Sequence, residues 1–386
     1  MSPPSRKAIT DAAGTVVVKV GTRVLTDSQG RLDALRVAHL AEQLAAGVAA
    51  GRRMVLVSSG AVGAGIGRLG LARRPVDLAE LQAVASVGQS CLIEAYNRAL
   101  EPHGRHAAQV LLTIDDFNDR GRYLNARNTL FALFRLGAIP IVNENDVVRV
   151  DELQRNFGDN DRLAAMVTHL LRAPLLILLS DVEGVYDLSQ PTVEGRHQVI
   201  PHIDLASSNG GEELVGELST GSPIQLSRGG MRSKLESARL VTASGDRVII
   251  ASGRHEGVLS AILAGEEVGT LISSPGQGIN SRKRWIGSAA RCAGQVTIDQ
   301  GAVDALVQRG SSLLPVGVTN VTGDFQKGDI ISLRNPQGQE IARGLTNFSA
   351  NELHQIAGQS TSQMAESLGY RTYEEVVHRD NMALLK

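Results

Sequence analysis

The stretch TVVVKV, residues 15–20, is a nearly continuous run of β-branched residues that one charged residue, Lys19, interrupts. Such runs are typical of strands buried on both faces, as in a parallel sheet. Five later runs have the same character: RMVLVSS (53–59), AAQVLLT (107–113), AIPIVNEND (138–146), PLLILLSD (174–181) and DRVIIAS (246–252). The stretch therefore predicts the first strand of a mostly parallel sheet.

Amphipathic segments lie between these runs. LDALRVAHLAEQLAAGVAAG at 32–51 is one example, and Gly51 closes it in the manner of a helix C-cap. Because strands and helices alternate, we expect an α/β fold, an α/β/α sandwich whose central sheet is covered on both faces. Ligands of such folds bind at the carboxyl ends of the strands.

The composition is that of an ordinary globular chain. At 386 residues two domains are expected; the net charge is −1 and hydrophobic residues make up 42%. No strongly basic or acidic partner is implied. The N-terminus has no apolar signal region and the chain has no run of about 18 apolar residues, so we expect a cytoplasmic protein. Cys91 and Cys292 are far apart and predict packed small side chains rather than a disulfide or metal site.

The pattern changes near residue 282. NSRKRWIGSAARCAG, residues 280–294, reads as a linker, and the strand-like runs GQVTID, KGDIISLRN and QEIARGLTNF follow it. These features predict a small β-rich C-terminal domain. The expected division is a flexible N-terminus at 1–14, a main domain at 15–275, a linker at 276–289 and the small domain at 290–386.

Polar residues follow the ends of several predicted strands. The segments concerned are Lys19 with Gly21, SSGAVGAGIG (58–67), NENDVV (143–148), FGDND (157–161), LLSDVEGVY (178–186) and RGGMRSKLESARL (228–240). Each has a structural explanation as a helix cap, a turn or an ion pair. Glycine-rich strand-to-helix turns also bind anions through backbone N–H groups. Two clusters with lysine and three with carboxylates fit a single active site better than independent turns.

A second glycine pattern is misleading. Gly65, Gly67 and Gly70 satisfy G-x-G-x-x-G, the fingerprint of dinucleotide-binding proteins. That fingerprint begins directly after a strand, whereas Gly65 lies several residues inside a predicted helix, so we interpret the match as chance. G-x-x-x-x-G-K-[ST] does not occur, which excludes a P-loop. The nine histidines have no spacing that predicts a metal site or a catalytic triad.

Long motifs in order along the chain carry a resemblance to a known family. VVVKVGTRVLT, VSSGAVGAG, VASVGQS, YLNARNTL, IPIVNENDVV, FGDND and GGMRSKLESA closely resemble the glutamate 5-kinases of the amino acid kinase superfamily. The C-terminal part resembles the PUA domain that many of these enzymes carry. The resemblance implies ATP-dependent phosphorylation of the L-glutamate side-chain carboxylate, with Mg²⁺ carried by the nucleotide and proline as a feedback inhibitor. It also implies a homodimer or homotetramer and channelling to the next enzyme of proline biosynthesis.

The resemblance also implies roles for individual residues. Lys19 and Lys234 would contact phosphates from opposite sides, and Asp161 would orient both as the third catalytic residue. The residues implied for glutamate binding are Ser59, Gly60, Asn143, Asp146, Asp159 and Asn160. Those implied for ATP binding are Lys19, Gly21, Ser180, Asp181, Arg228, Gly229, Gly230, Met231, Arg232, Ser233 and Lys234. Arg228 and Ser180 stand where the family generally has threonine.

Two alternatives remain open from the sequence. Another kinase of the superfamily would act on N-acetylglutamate, aspartate or uridylate, although the NEND and GDND motifs favour free glutamate. An RNA-binding role would rest on the PUA-like domain. Residues 286–386 carry 8 Lys and Arg against 10 Asp and Glu, a net charge of −2, and lack the basic surface typical of RNA binding. We therefore expect no RNA partner.

Overall fold

Two β-sheets organise the chain in the computed structural model, which describes residues 5–118, 120–148, 160–187, 197–205, 230–274, 292–360, 363–364 and 374–385. The chain divides into one unit formed by Met1–Ile114 and Ala126–Gln277 and another formed by Asp115–Asn125 and Gly278–Lys386. The first unit contains an eight-stranded sheet and the second a five-stranded sheet. The predicted domain boundaries at 275 and 290 fall in or beside residues 275–291, outside the described part.

The strands before the second unit are β1 to β10. Their bounds are Thr15–Val20, Arg53–Ser58, Ala107–Leu112, Ile139–Glu144, Leu175–Ser180, Tyr186–Asp187, Gln198–Val199, His202–Asp204, Arg247–Ser252 and Thr270–Ser273. The helices, α1 to α10, are Arg6–Ala12, Thr22–Leu25, Ala34–Ala49, Ala61–Leu69, Leu78–Leu100, Asp115–Asn118, Arg120–Arg135, Asn160–Leu171, Gly230–Thr242 and Val258–Ala264. Among the described residues, no helix has the length and apolar character needed to span a membrane.

The large sheet has the order β3-β4-β2-β1-β5-β9-β10-β8. Pairing is parallel from β3 through to β9, which confirms the predicted parallel sheet and all six strands expected from the sequence. At one end of the sheet, β10 pairs antiparallel to β9 and parallel to β8. The sequence did not predict β8 or β10, which are both short. Val20 lies opposite both Ser58 and Leu179, so the carboxyl ends of β1, β2 and β5 meet at one edge.

Alternation along β1 decides which helices its side chains meet. Val16, Val18 and Val20 join a hydrophobic cluster with side chains of α3, α5 and α10. Val17 and Lys19 point to the opposite face, where α8 packs against β1, β2, β4 and β5. The sheet is therefore covered on both faces, as predicted. Lys19, although charged, is only 6% exposed because it lies beneath α8.

The N-terminus differs from the prediction. Instead of a flexible segment over 1–14, residues 6–12 form α1, capped by the Ser5 side chain. The Arg6 guanidinium donates hydrogen bonds to the carbonyl oxygens of Pro201, Val268 and Gly269. These carbonyls are distant in sequence, so a local reading of a polar segment could not reveal the contact.

Glycines hold α4 and α5 unusually close together. A Cβ placed on Gly65 would lie 2.0 Å from the Val84 carbonyl oxygen, and one on Gly88 would lie 1.7 Å from that of Ala61. No larger residue fits at either position without separating the helices. Gly65 lies within α4 and Gly70 ends it in the left-handed conformation, so the G-x-G-x-x-G match reflects helix packing. The interpretation that it is not a dinucleotide fingerprint agrees with this placement.

The second unit contains strands β11 to β15 and helices α11 and α12. The strands are Gly294–Ile298, Val318–Gly323, Ile330–Arg334, Glu340–Leu345 and Met382–Leu384, and the helices are Gln300–Arg309 and Ala350–Ile356. The sheet order is β12-β11-β13-β14-β15, in which β11 and β13 pair in parallel and the other neighbours antiparallel. Phe325 and Phe348 belong to its own hydrophobic core. The predicted β-rich C-terminal unit is confirmed.

Helix α8 is buried almost along its whole length, including His169 near its end. The Ser244 hydroxyl lies 3.2 Å from Nδ1 of His169. Burial lowers the pKa of His169 to about 4, against a smaller opposing effect of a hydrogen bond with the Leu240 backbone. The folded protein therefore holds this imidazole neutral in conditions where an exposed histidine becomes protonated.

His169 should make the stability of the protein fall in mild acid. The unfolded chain binds this proton below about pH 6.5 and the folded chain only below about pH 4, so the loss develops between these values. From pH 7 to pH 5 the free energy of unfolding should fall by about 2 kcal/mol more in the wild type than in His169→Gln. Urea unfolding followed by circular dichroism measures this difference. His103→Gln makes the same change at an exposed position and is the matched control. Equal slopes for wild type and His169→Gln would contradict the assignment.

Candidate active site

A buried cluster of two lysines and one aspartate lies at the carboxyl ends of the central strands. Nζ of Lys19, on β1, is 2.6 Å from Oδ1 of Asp161, in the first turn of α8. Nζ of Lys234, on α9, is 3.1 Å from Oδ2 of the same carboxylate. All three side chains are at least 90% buried. The structure thus brings together the three residues predicted as catalytic.

The cluster carries more positive than negative charge. Burial raises the pKa of the Asp161 carboxyl, but the charges and hydrogen bonds of Lys19 and Lys234 lower it by more, so that its pKa lies below the ordinary value. Asp161 is therefore ionised at neutral pH, and two ammonium groups face one carboxylate. The excess positive charge suits a polyanionic ligand such as a nucleotide phosphate.

Neighbouring groups fix the cluster further. Lys234 also donates to the Gly230 carbonyl oxygen at 3.2 Å, and the Ser233 hydroxyl lies 3.4 Å from Oδ2 of Asp161. A Cβ on Gly21 would lie 3.9 Å from Nζ of Lys19. Gly21, Gly230 and Ser233, three of the residues predicted to bind ATP, therefore lie next to the ammonium groups.

Asn160, directly before Asp161, points to a second group of side chains. Its Nδ2 lies 2.9 Å from Oγ of Ser59 and 3.0 Å from Oδ1 of Asn143. Ser59, Gly60, Asn143, Asp146 and Asn160 line one cavity. The first turn of α8 thus joins the lysine cluster to the cavity, and the predicted substrate-binding residues that the structure describes lie together.

Gly60 shapes the wall of this cavity. Its φ of +121° is one that residues with a Cβ rarely adopt, and it is the N-cap of α4. Ser59 before it donates its backbone N–H to the Val20 carbonyl oxygen at 3.2 Å, which ties the turn to β1. The turn therefore places the start of a helix beside Asn160.

Ser180 ends β5 and Asp181 follows it, on the other side of β1 from β2. The Ser180 hydroxyl donates to Oδ1 of Asp181 at 3.2 Å, and Nη1 of Arg23 lies 3.1 Å from Oδ2. Partial burial raises the pKa of Asp181, but the hydrogen bonds from Arg23, the backbone and Ser180, together with the charge of Arg23, lower it by more. This ion pair is much more exposed than the lysine cluster, since the Arg23 side chain is 63% exposed.

Some predicted residues lie elsewhere or outside the described part. Arg232 is exposed and pairs with Glu236 along α9 at 2.8 Å, and Met231 precedes it on the same helix. Asp159, Arg228 and Gly229 lie outside the described residues. Their predicted roles remain predictions.

The structure adds residues that the predicted site did not include. Thr22, Arg74 and Glu144 also line the cavity, Arg23 pairs with Asp181, and Gln89 contacts Asn143. Gln89 and Glu144 fall within motifs that carried the resemblance, VASVGQS and IPIVNENDVV, which was the available signal. Arg74 lies in a loop with no comparable pattern.

A mostly parallel α/β sheet with a buried lysine pair near its strand ends is suited to proteins that bind anionic ligands. Comparison with known proteins identifies the family. The sequence model of the amino acid kinase family matches residues 14–252, and that of the PUA domain matches residues 294–368. The chain belongs to the amino acid kinase family. This confirms the resemblance and the fold class inferred from the motifs.

Full-length relatives narrow the comparison. A glutamate 5-kinase of Rhodopirellula baltica is 48% identical over 380 residues, covering 98% of this chain and 96% of the relative. Glutamate 5-kinases of Moorella thermoacetica and Ralstonia nicotianae are 44% and 45% identical, and each match covers at least 97% of both chains. The similarity therefore includes both units.

Replacing Asp161 should destabilise the protein far more than the same change at Asp181. Asp161→Asn removes the negative charge that both buried ammonium groups contact, and breaking a buried pair in this way costs about 3 kcal/mol. Asp181→Asn breaks an exposed pair and should cost less than about 1 kcal/mol. Urea unfolding at pH 7 measures both variants, and equal losses would contradict the importance of burial.

Proposed function

We propose that this protein transfers the γ-phosphoryl group of ATP to the side-chain carboxylate of L-glutamate. The product is L-glutamyl 5-phosphate and the reaction is the first step of proline biosynthesis. The observation that carries the proposal is the pair of buried ammonium groups held on Asp161 beside a polar cavity. Relatives that match over nearly the whole chain are named glutamate 5-kinase, which supports glutamate as the acceptor.

The reaction needs positive charge more than it needs a base. The glutamate side chain has a pKa of about 4.3 and is ionised at neutral pH, so no proton has to be removed before attack. A carboxylate oxygen forms a bond to the γ-phosphorus while the bond from that phosphorus to the β,γ-bridging oxygen breaks, and ADP leaves. The barrier comes from bringing an anion to a polyanion, and fixed cations lower it.

Lys19 and Lys234 supply these cations in our proposal. Both reach Asp161, one from β1 and the other from α9, so the transferring group is bound by ammonium groups from two elements. Asp161 acts as the residue that positions them. Its lowered pKa argues against a role as general base, because it binds protons weakly at neutral pH.

The cavity provides recognition of the amino acid. Asp146 suits the α-ammonium group, and the Ser59 hydroxyl, the Asn143 and Asn160 amides and the backbone at Gly60 suit polar contacts with glutamate. Asp159 joins this set as a prediction. A substrate without the ammonium group would lose this charge pair with Asp146, which disfavours N-acetylglutamate.

The nucleotide lies along the other side of the lysine cluster. Gly21, Ser180, Asp181 and the α9 segment that begins at Gly230 supply its contacts, together with Arg228 and Gly229 before it. We propose that Mg²⁺ arrives on the phosphates of ATP and keeps part of its water shell. Asp161 is not available as a ligand for it, since both carboxylate oxygens contact lysine ammonium groups.

Other properties of the protein stay predictions. They are a cytoplasmic location, a homodimer or homotetramer, inhibition by proline and channelling of the labile product to the next enzyme. The alternative of RNA binding would need a basic surface in the second unit, where acidic residues outnumber basic ones between 286 and 386.

A substrate comparison tests the proposal. ADP release should be fastest with L-glutamate, and its kcat/KM should exceed those of L-aspartate and N-acetyl-L-glutamate by about 100-fold or more. Aspartate is one methylene shorter and holds its carboxylate away from the γ-phosphate, while N-acetylglutamate lacks the charge that Asp146 would pair with. A higher kcat/KM with either of these acceptors would contradict the assignment of glutamate as the substrate.

Two variants should separate catalysis from binding. Lys234→Ala should lower kcat by about 100-fold or more with little change in the KM for glutamate, because its charge acts on the transferring group. Asp146→Ala should chiefly raise the KM for glutamate. Arg162→Ala, which removes an exposed cation beside Asp161 on α8, serves as the control and should behave like the wild type. An unchanged kcat in Lys234→Ala would contradict the proposed role.

A further inference from the structure

Three side-chain amides form a hydrogen-bonded chain behind the substrate cavity. Nδ2 of Asn143 donates to Oε1 of Gln89 at 2.9 Å, and Nδ2 of Asn160 donates to Oδ1 of Asn143 at 3.0 Å. All three side chains are buried. Gln89 lies on α5 and is not among the residues that line the cavity.

We propose that Gln89 is a positioning residue that sets the direction of this amide chain and thereby the affinity for the amino acid substrate. The inference rests on the proposed function, since it concerns the site assigned to L-glutamate. Gln89 accepts from Asn143, so the Asn143 carbonyl oxygen is directed to Asn160. Asn160 must then donate, and its own Oδ1 stays available.

This direction of the hydrogen bonds leaves Oδ1 of Asn160 as an acceptor for a ligand. Among the described residues, the buried Oδ1 of Asn160 has no hydrogen-bond partner, while Asn160 itself lines the cavity. A buried acceptor without a partner costs free energy in the empty protein, which a donor on a ligand recovers. An α-ammonium group is such a donor. If the Asn143 amide were reversed, its Nδ2 would face Nδ2 of Asn160, and two donors would oppose each other. The Asn160 amide would then reverse as well, and its Oδ1 would no longer face the ligand.

Close helix packing fixes the position of Gln89. The adjacent Gly88 lies against the Ala61 carbonyl with no room for a Cβ, and Gly65 lies equally close to the Val84 carbonyl. Ala61 is the first residue of α4 and follows the turn that contains Ser59 and Gly60. The glycine contacts therefore hold α5, and Gln89 with it, in register with the turn whose Ser59 hydroxyl accepts from Asn160.

Substitutions at Gln89 separate the positioning role from simple filling of the core. Gln89→Met keeps the length of the side chain but removes the acceptor, so the KM for L-glutamate should rise about tenfold. The KM for ATP and kcat should stay within about twofold, because the lysine cluster is not altered. Gln89→Glu keeps an oxygen acceptor and should restore most of the glutamate affinity. Gln82→Met makes the same change two turns earlier on α5 and is the matched control.

The results that would overturn the inference are definite. An unchanged KM for glutamate in Gln89→Met, an equal rise in the KM for ATP, or the same defect in Gln89→Glu as in Gln89→Met would each do so. Since the amide chain is a property of the fold, a second measurement does not depend on activity. Urea unfolding of Gln89→Met, Asn143→Ala and the double variant should give non-additive shifts in midpoint, and additive shifts would exclude the hydrogen bond.

These two measurements also separate failure of the inference from failure of the proposed function. If the wild-type protein does not phosphorylate glutamate, the proposed function is wrong and the claim about glutamate affinity falls with it, whatever the unfolding cycle gives. If the wild type is active and Gln89→Met is kinetically normal, the function stands and the positioning role is wrong.

Discussion

The contact of two lysines with the single carboxylate of Asp161 is the interaction on which the site depends. Burying charged groups is costly unless they are paired, and here each ammonium group has the same partner. The three residues come from β1, α8 and α9, so the pairing also fixes the relation of both helices to the central strand. Charge balance and architecture are therefore set by one contact.

The sheet explains why these groups meet. Alternation along β1 turns Lys19 toward α8 while its neighbours Val18 and Val20 pack on the other face. Consecutive residues at the start of α8 then face different groups of side chains. Asp161 faces the lysines, and Asn160 faces Ser59 and Asn143. One helical turn thereby connects the lysine cluster, which we propose binds phosphate, with the side chains that we propose recognise the acceptor.

The sequence predicted most of the fold because buried parallel strands have continuous apolar runs, and six such runs are strands of one sheet. It did not predict β8 and β10, which have only three and four residues, or α1, which Arg6 attaches to distant carbonyls. Local patterns also could not distinguish a helix-starting aspartate from a counter-ion at Asp161, and the motifs resolved that choice. Gln89 was missed because a glutamine on an amphipathic helix is expected to be exposed, and its contact with Asn143 is visible only in the structure.

A site built for an anionic acceptor must attract the reactants without binding either so tightly that the transfer stops. One carboxylate against two ammonium groups meets this need, since it offsets part of the positive charge of the cluster and holds both side chains in place. In the proposed site, the Asn143 and Asn160 amides orient the amino acid without forming an ion pair with its reacting carboxylate. The position of the lysine pair on one side of the first turn of α8, opposite the Asn143 and Asn160 amides, therefore suits the chemistry of joining two anions.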